Sequence, residues 1–325
     1  MHALFLHHQT FARVEARLKP FSHALRPVLI FDDGHFETPW GSGAELRMIA
    51  YGTTDIYFSK AAPVFFRTLV EHPDLVWFQS SAAGLEHPLL QAVGRNAALY
   101  SACHAQSEAI AEWVLWAGLD FFQRGPQRRA GQAQKVWRRL PFRELSETRW
   151  LIIGFGHIGQ ATGRRLQALG AHVTGVRRRP GAQPGADVIV SPDAVNGLLG
   201  EVDAVLLCLP HTPETEHLAD AEFFARMASG SLFLNVGRGA LVDESALLRA
   251  LAAGRPAHAS LDVVGEEPYP SDGPLWHCER VTLTPHISAV TEASKSRTDQ
   301  VFLRNLDHFL NGRQPDHLID RSVFD

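Results

Sequence analysis

The stretch GFGHIG at residues 154–159 constrains this chain more than any other. It follows the apolar run WLII (150–153) directly and runs straight into the helical stretch QATGRRLQALG. A strand that enters three spaced glycines and leaves as a helix is the opening of a nucleotide-binding βαβ unit. In that reading Gly154 permits the tight turn, Gly156 lets the backbone approach a pyrophosphate, and Gly159 lets helix and strand pack closely. The helix start, with His157 and Ile158 as contact candidates, offers amide N–H groups and a partial positive charge to the phosphates. The alternative is a glycine-rich structural turn without a ligand.

The pattern around the loop supports the first reading. HVTGV (172–176), DVIV (187–190), AVLLCL (204–209), SLFLNV (231–236), HASLDV (258–263) and VTLTP (281–285) read as further strands, with helical patterns between most of them. Such alternation predicts a parallel sheet covered on both faces. VDESALLRALAAGRP shows helix punctuation, with Asp243 at the start and Gly254 and Pro256 at the stop. In the first hundred residues ALFLH, VLIF, DIYFS and LVWFQS are candidate strands of a second, smaller α/β unit. Residues 101–124 read as one long helix whose Ala109, Trp113, Trp116 and Ala117 serve core or dimer-interface packing. RGPQRRAGQAQKVWRRLP (124–141) reads as an exposed excursion. TEASKSRTDQVFLRNLDHFLNGRQP reads as a helix that buries Val301, Leu306, Phe309 and Leu310, stops at Gly312 and Pro315, and crosses back to the first domain.

Composition narrows the function classes. A net charge of −4 gives no basic excess for tracking phosphates, so nucleic acid is not an expected partner. No apolar run reaches the roughly 18 to 20 residues of a membrane span, and the N-terminus lacks the pattern of a signal peptide. Cys103, Cys208 and Cys278 are scattered, which fits a reducing, cytoplasmic setting. Cys208, His211 and His217 come nearest to metal-ligand spacing, but no second half-site follows, and no metal is expected.

GVRRRP (175–180) departs from the usual pattern. A carboxylate normally ends the second strand and accepts hydrogen bonds from the adenosine ribose, but Arg177, Arg178 and Arg179 stand there. A carboxylate would repel a 2′-phosphate, whereas guanidinium groups grip it with charge-assisted hydrogen bonds. The cluster predicts NADP(H) as the preferred cofactor, with NAD(H) possible; the alternative is a solvated basic turn.

FLNVGRGALVDESAL, ASLDVVGEEPYP and VTLTPHISAVT place Arg238, Glu267 and His286 at or after successive strand ends. Together with GFGHIG and LPHTPET (209–215), they resemble in order and spacing the D-isomer-specific 2-hydroxyacid dehydrogenase family, over roughly residues 75–312. Among its members, the NADPH-dependent glyoxylate/hydroxypyruvate reductases are the most similar. The resemblance implies that Arg238 binds the substrate carboxylate and polarises its carbonyl, and that His286 is the acid–base group. Glu267 then holds the histidine, with Glu266 the adjacent alternative. It further implies cofactor contacts at Leu209, Pro210, Val236 and Asp262, the last near the nicotinamide end. Ala83 and Gly84 would bind the substrate carboxylate beside Arg238 and His286. Glu112 also fits a family position, with structural capping as the alternative.

The expected fold is α/β, with two Rossmann-like or flavodoxin-like domains of parallel sheets and the active site in the cleft between them. Residues 1–102 and 290–325 would form the substrate domain, and residues 103–289 the dinucleotide-binding domain. The expected activity is NADPH-dependent reduction of a small 2-keto acid to the 2-hydroxy acid by a homodimer. Two alternatives stay open: an NAD-linked dehydrogenase working oxidatively, and a non-catalytic dinucleotide-sensing protein like the corepressors that resemble this family.

Overall fold

A computed structural model describes residues 1–42, 46–82, 84–85 and 87–324. The chain forms two compact units, Met1–Gln106 with Val290–Asp325, and Ser107–Ala289.

The first unit holds strands β1 (His2–His7), β2 (Leu25–Ile30), β3 (Phe36–Glu37), β4 (Arg47–Gly52), β5 (Leu75–Ser80) and β6 (Tyr100–Ala102). They lie in the order β3-β2-β1-β4-β5-β6, all parallel except the β2–β3 pair. Helices α1 (His8–Leu18), α2 (Thr54–Tyr57), α3 (Ala62–Glu71) and α4 (Pro88–Asn96) serve the crossovers. A sheet covered on both faces needs strands without a wet side, and all six positions of β5 are buried. Phe5, Phe65 and Phe78 pack in one apolar cluster, and Tyr51, Trp77 and Phe302 in another.

Three expectations are corrected here. DIYFS is not a strand: the strand is Arg47–Gly52, and Thr54–Tyr57 is a helical turn with Asp55 in its first turn. Asp55 is buried there because Arg13 and Lys295 both pair with its carboxylate. The residue 101–124 helix starts only at Ser107, since Tyr100–Ala102 is taken up as the edge partner of β5. The C-terminal helix, Glu292–Leu310, buries Phe302 and Leu306 fully and Val301, Phe309 and Leu310 only in part. Phe302 sets that phase, its ring stacked on Tyr51 at 4.0 Å between centroids.

The second unit carries β7 (Arg149–Ile153), β8 (His172–Val176), β9 (Val188–Val190), β10 (Ala204–Leu207), β11 (Leu232–Asn235), β12 (His258–Leu261) and β13 (Val281–Leu283). Six of the seven strands lie inside their expected runs, and β7 begins one residue earlier, at Arg149. The order is β13-β12-β11-β10-β7-β8-β9, parallel throughout. The chain leaves β7 toward β8 on one side and returns to β10 on the other. The carboxyl end of β7 is thus a topological switch point, where open α/β sheets bind ligands.

Helices α5 (Ser107–Phe122), α6 (Gly125–Ala133), α7 (His157–Ala168), α8 (Val195–Leu198), α9 (Ala221–Arg226) and α10 (Glu244–Ala252) precede the C-terminal helix, α11. The capping expected of α10 is present: the Asp243 carboxylate accepts the Ala246 N–H at 2.9 Å, and Gly254 follows the helix at φ +76°. The basic excursion contains α6 and exposes Val136 and above all Trp137, which is 97% accessible; Phe142, just past it, is exposed too. Trp116 on α5 is also exposed. Among the described residues no helix is long and apolar enough to cross a membrane.

Candidate active site

The glycine loop joins β7 to α7 at the switch point. Gly154 has φ +101°, and a Cβ there would come within 2.7 Å of the Cys208 carbonyl, so both conformation and packing exclude other residues. A Cβ on Gly159 would lie 2.8 Å from the Gly154 carbonyl, which lets α7 sit tightly against the loop. A Cβ on Gly156, the N-cap of α7, would meet nothing within 4 Å, and no side chain caps the helix there. The backbone at Gly156 therefore borders open space at the start of this helix, as an anion site needs.

The loop also fixes where the arginines go. Gly154 and Phe155 both donate their N–H to the Val176 carbonyl, at 3.2 and 2.9 Å, which holds the end of β8 against the turn. Arg177 follows immediately and is half-buried, while Arg178 and Arg179 are exposed. None of the three forms an ion pair among the described residues. Arg178 reaches the neighbourhood of the 212–214 turn. The Glu214 carboxyl is held below its ordinary range mainly by a Thr212 hydrogen bond, and the Arg178 charge adds to this.

Leu209 and Pro210 follow β10 beside the loop, Leu209 partly buried and Pro210 exposed. Val236 is buried in the core cluster with Leu232 and Leu234, its N–H donated to the Leu207 carbonyl at 3.0 Å.

Arg238, Glu267 and His286 come from three separate connections at the same sheet edge. Asn235 ends β11 and organises the first of them: its side-chain oxygen accepts the Gly237 N–H at 3.0 Å, and its amide donates to the Arg238 carbonyl at 2.8 Å. A Cβ on Gly239 would lie 1.9 Å from the Val264 backbone, so only glycine allows the Arg238 loop to touch the loop bearing Glu267. Glu244, first residue of α10, accepts the Gly265 N–H at 2.7 Å and steadies that second loop.

Glu267 then meets His286, with 2.8 Å between its Oε2 and Nδ1. Glu266 is exposed, and among the described residues it is Glu267, not Glu266, that bonds His286. Pairing at Nδ1 leaves Nε2 as the ring nitrogen for proton exchange. The hydrogen bond to the Glu267 carboxylate raises the His286 pKa above 6.5, against burial and the Arg238 charge, which lower it. Burial raises the Glu267 carboxyl, but the His286 hydrogen bond and charge outweigh it and leave the carboxyl below its ordinary value.

His286 has φ +51°, a left-handed conformation that costs a non-glycine residue of order 1–3 kcal/mol and persists only where its surroundings enforce it. Asp262 does the enforcing. Its carbonyl accepts the His286 N–H at 2.8 Å. Its buried carboxylate accepts the Thr284 hydroxyl at 2.6 Å, the Ile287 N–H at 2.9 Å, and both the N–H and hydroxyl of Ser288. Expected beside the nicotinamide end, Asp262 spends both carboxylate oxygens on the histidine loop.

Gly84 lies in the first unit, in the connection after β5. Ala83 lies outside the described residues. Glu112 sits on α5 with its carboxylate 4.0 Å from Arg165 of α7. Cys208 is partly buried, its Sγ donating to the Gly154 carbonyl at 3.0 Å and its pKa pushed up by burial to about 12.

The sequence profile of the D-isomer specific 2-hydroxyacid dehydrogenase NAD binding domain matches residues 115–288. Glyoxylate/hydroxypyruvate reductase A of Yersinia enterocolitica is 32% identical over 209 residues, 64% of this chain and 66% of that protein. The glyoxylate reductase of Thermococcus kodakarensis is 34% identical over 172 residues, 53% of this chain and 51% of its own. The matched stretches thus span between half and two thirds of these relatives. Two solved structures cover 100% of the chain and are themselves covered to 99%. A D-isomer specific 2-hydroxyacid dehydrogenase of Xanthobacter autotrophicus Py2, in complex with NADPH and MES, is 26% identical with a TM-score of 0.78. A family protein of Aeromonas salmonicida is 29% identical with a TM-score of 0.80.

Proposed function

The chain belongs to the D-isomer specific 2-hydroxyacid dehydrogenase family, and from that premise we propose that it reduces a small 2-keto acid, of glyoxylate or hydroxypyruvate size, to the 2-hydroxy acid with NADPH. The observation that carries this reading is the 2.8 Å bond between His286 Nδ1 and Glu267, within the electrostatic reach of Arg238. Relatives named as glyoxylate and hydroxypyruvate reductases support the substrate class.

The glycine cradle fits a dinucleotide, because side chains are sterically excluded at Gly154 and Gly159 while Gly156 borders open space. When bound, the nicotinamide supplies the hydride. Arg238 holds the substrate carboxylate and polarises the carbonyl, for which a planar, two-pronged cation is suited. As hydride reaches C2, His286 gives its Nε2 proton to the carbonyl oxygen, and Glu267 stabilises the imidazolium before that transfer. One hydride and one proton are consumed per 2-hydroxy acid formed, and solvent reprotonates the imidazole. Arg177, Arg178 and Arg179 select NADPH by binding the 2′-phosphate. The Xanthobacter relative, crystallised with NADPH, supports that choice.

The test is turnover of glyoxylate and hydroxypyruvate with NADPH across pH. Reduction needs the imidazolium, so kcat/KM is expected to fall as pH rises through a His286 pKa above 6.5. Glu267→Gln removes the carboxylate that raises this pKa, and the alkaline limb is expected to move to lower pH. Turnover with an unmoved limb would reject the pair, and absence of turnover would reject the activity. We further place a homodimer contact on exposed apolar side chains of this unit, among Trp116, Val136, Trp137 and Phe142. A light-scattering mass of one chain would contradict that assembly.

A further inference from the structure

Two adjacent histidines and an aspartate converge at the carboxyl edge of the first unit's sheet, and the chemistry proposed above uses none of them. His7 ends β1, His8 begins α1, and Asp32 follows β2 by two residues. Parallel pairing puts His7 opposite Ile30, so both strand ends reach the same edge. His7 Nε2 lies 3.3 Å from Asp32 Oδ1, and His8 Nε2 lies 3.7 Å from Asp32 Oδ2. One donor atom from each residue falls within 4.8 Å of the other two.

Those separations discriminate between two explanations. Hydrogen bonds from nitrogen to oxygen cluster at about 2.9–3.0 Å, so the first contact is long and the second is not a hydrogen bond. Two ligands each about 2.0–2.1 Å from one tetrahedral ion stand roughly 3.4 Å apart. The 3.3 Å separation matches that of donors sharing an ion, and the 3.7 Å one lies near it.

Each donor is also held from behind. Asp32 accepts the Ser59 hydroxyl at 2.7 Å, and the Ser59 oxygen in turn accepts the Ala61 N–H at 3.0 Å. The His8 ring stacks on Phe31 at 4.4 Å with 6° between planes, and His35 stacks on the other side of this aromatic group at 4.2 Å. His7 is only 1% exposed, so the surrounding fold holds its ring in place. Outer partners that fix ligand orientation are a regular feature of metal sites. Two imidazoles with one carboxylate suit a zinc-like ion better than magnesium or calcium, which prefer all-oxygen shells.

We propose that His7, His8 and Asp32 form a binding site for one divalent transition-metal ion of the zinc class, with a remaining position for water. The ion clasps the end of β1 and the start of α1 to the turn after β2. Cys208, His211 and His217, the nearest approach to ligand spacing along the sequence, lie in the other unit.

The test uses the untagged full chain, stripped with a chelator, equilibrated with zinc chloride, gel-filtered and measured for bound zinc. The wild type is expected to retain one ion per chain, and cobalt in its place to show the visible absorption of a four-coordinate site. His8→Ala and Asp32→Asn alter side chains that are partly or largely exposed, so the fold is expected to survive. Each should weaken zinc binding more than about tenfold, with an unchanged circular dichroism spectrum. Equal retention by the wild type and both variants would assign the zinc to other histidines and overturn the proposal. Failure of the wild type to retain zinc would overturn it as well. Neither readout depends on turnover, so the result is independent of the reductase reading.

Discussion

Replacing His286 with alanine is expected to lower kcat for 2-keto acid reduction by about 10²-fold or more, while NADPH binding changes by no more than about twofold. The asymmetry follows from the geometry. His286 sits on a loop anchored by Asp262, through the His286 N–H to the Asp262 carbonyl at 2.8 Å and through Thr284, Ile287 and Ser288 to its carboxylate. The loop keeps its anchors when the imidazole is removed, and alanine relieves none of the contacts that build the glycine cradle. Only the proton donor is lost, so the penalty belongs in the chemical step. The measurements are steady-state kinetics and a fluorescence titration with NADPH. Lost cofactor binding with unchanged turnover at saturation would remove His286 from the acid–base role.

Replacing Arg177 and Arg178 together with neutral residues is expected to raise the KM for NADPH roughly ten- to a hundredfold or more and to leave that for NADH within about twofold. Each charge-assisted hydrogen bond to a phosphate is worth about 1.5–3 kcal/mol, and NADH has no 2′-phosphate to lose it from. The placement of Arg177 beside the glycine loop rests on two backbone bonds to the Val176 carbonyl, which the substitution leaves intact. A general weakening of the loop would raise both constants together. Equal effects on the two cofactors would therefore return the cluster to a solvated basic turn.

Much of the second unit was legible in the sequence, for a physical reason. Strands of a parallel sheet covered on both faces must be nearly continuous apolar runs, and WLII, AVLLCL and SLFLNV announce themselves by that. Arg238, Glu267 and His286 were legible through the order of their surrounding stretches, not through chemistry of their own. The supporting residues were not. Asn235 ends β11 as a buried amide, and its N-x-x-R-G context was the only signal that it would orient the Arg238 loop. Glu244 looks like an ordinary first-turn helix acid, although its carboxylate holds Gly265. Ser288 and Thr284 carry no sequence mark of their bonds to Asp262.

In the first unit the local pattern misled at two places. RMIAYG and DIYFS are adjacent apolar stretches, and only long-range pairing decides which becomes a strand: β4 aligns with both β1 and β5, and Asp55 is drawn into its ion pairs with Arg13 and Lys295. The helix phase of α11 was off by one position because Phe302 has an aromatic partner, Tyr51, some 250 residues away in the chain. The cluster of His7, His8 and Asp32 was invisible for the same reason, since two of its residues are neighbours and the third arrives by strand pairing.

Direct hydride delivery from NADPH to C2 of a 2-keto acid is the step on which the proposed function stands. Incubating the protein with NADPH carrying deuterium at C4 of the nicotinamide, on each face in turn, and with glyoxylate or hydroxypyruvate, tests it in one measurement of the product by mass spectrometry. The expected product is a 2-hydroxy acid carrying one deuterium at C2 from one of the two labelled cofactors and none from the other. Cofactor that binds but transfers no deuterium from either face to any 2-keto acid would contradict it.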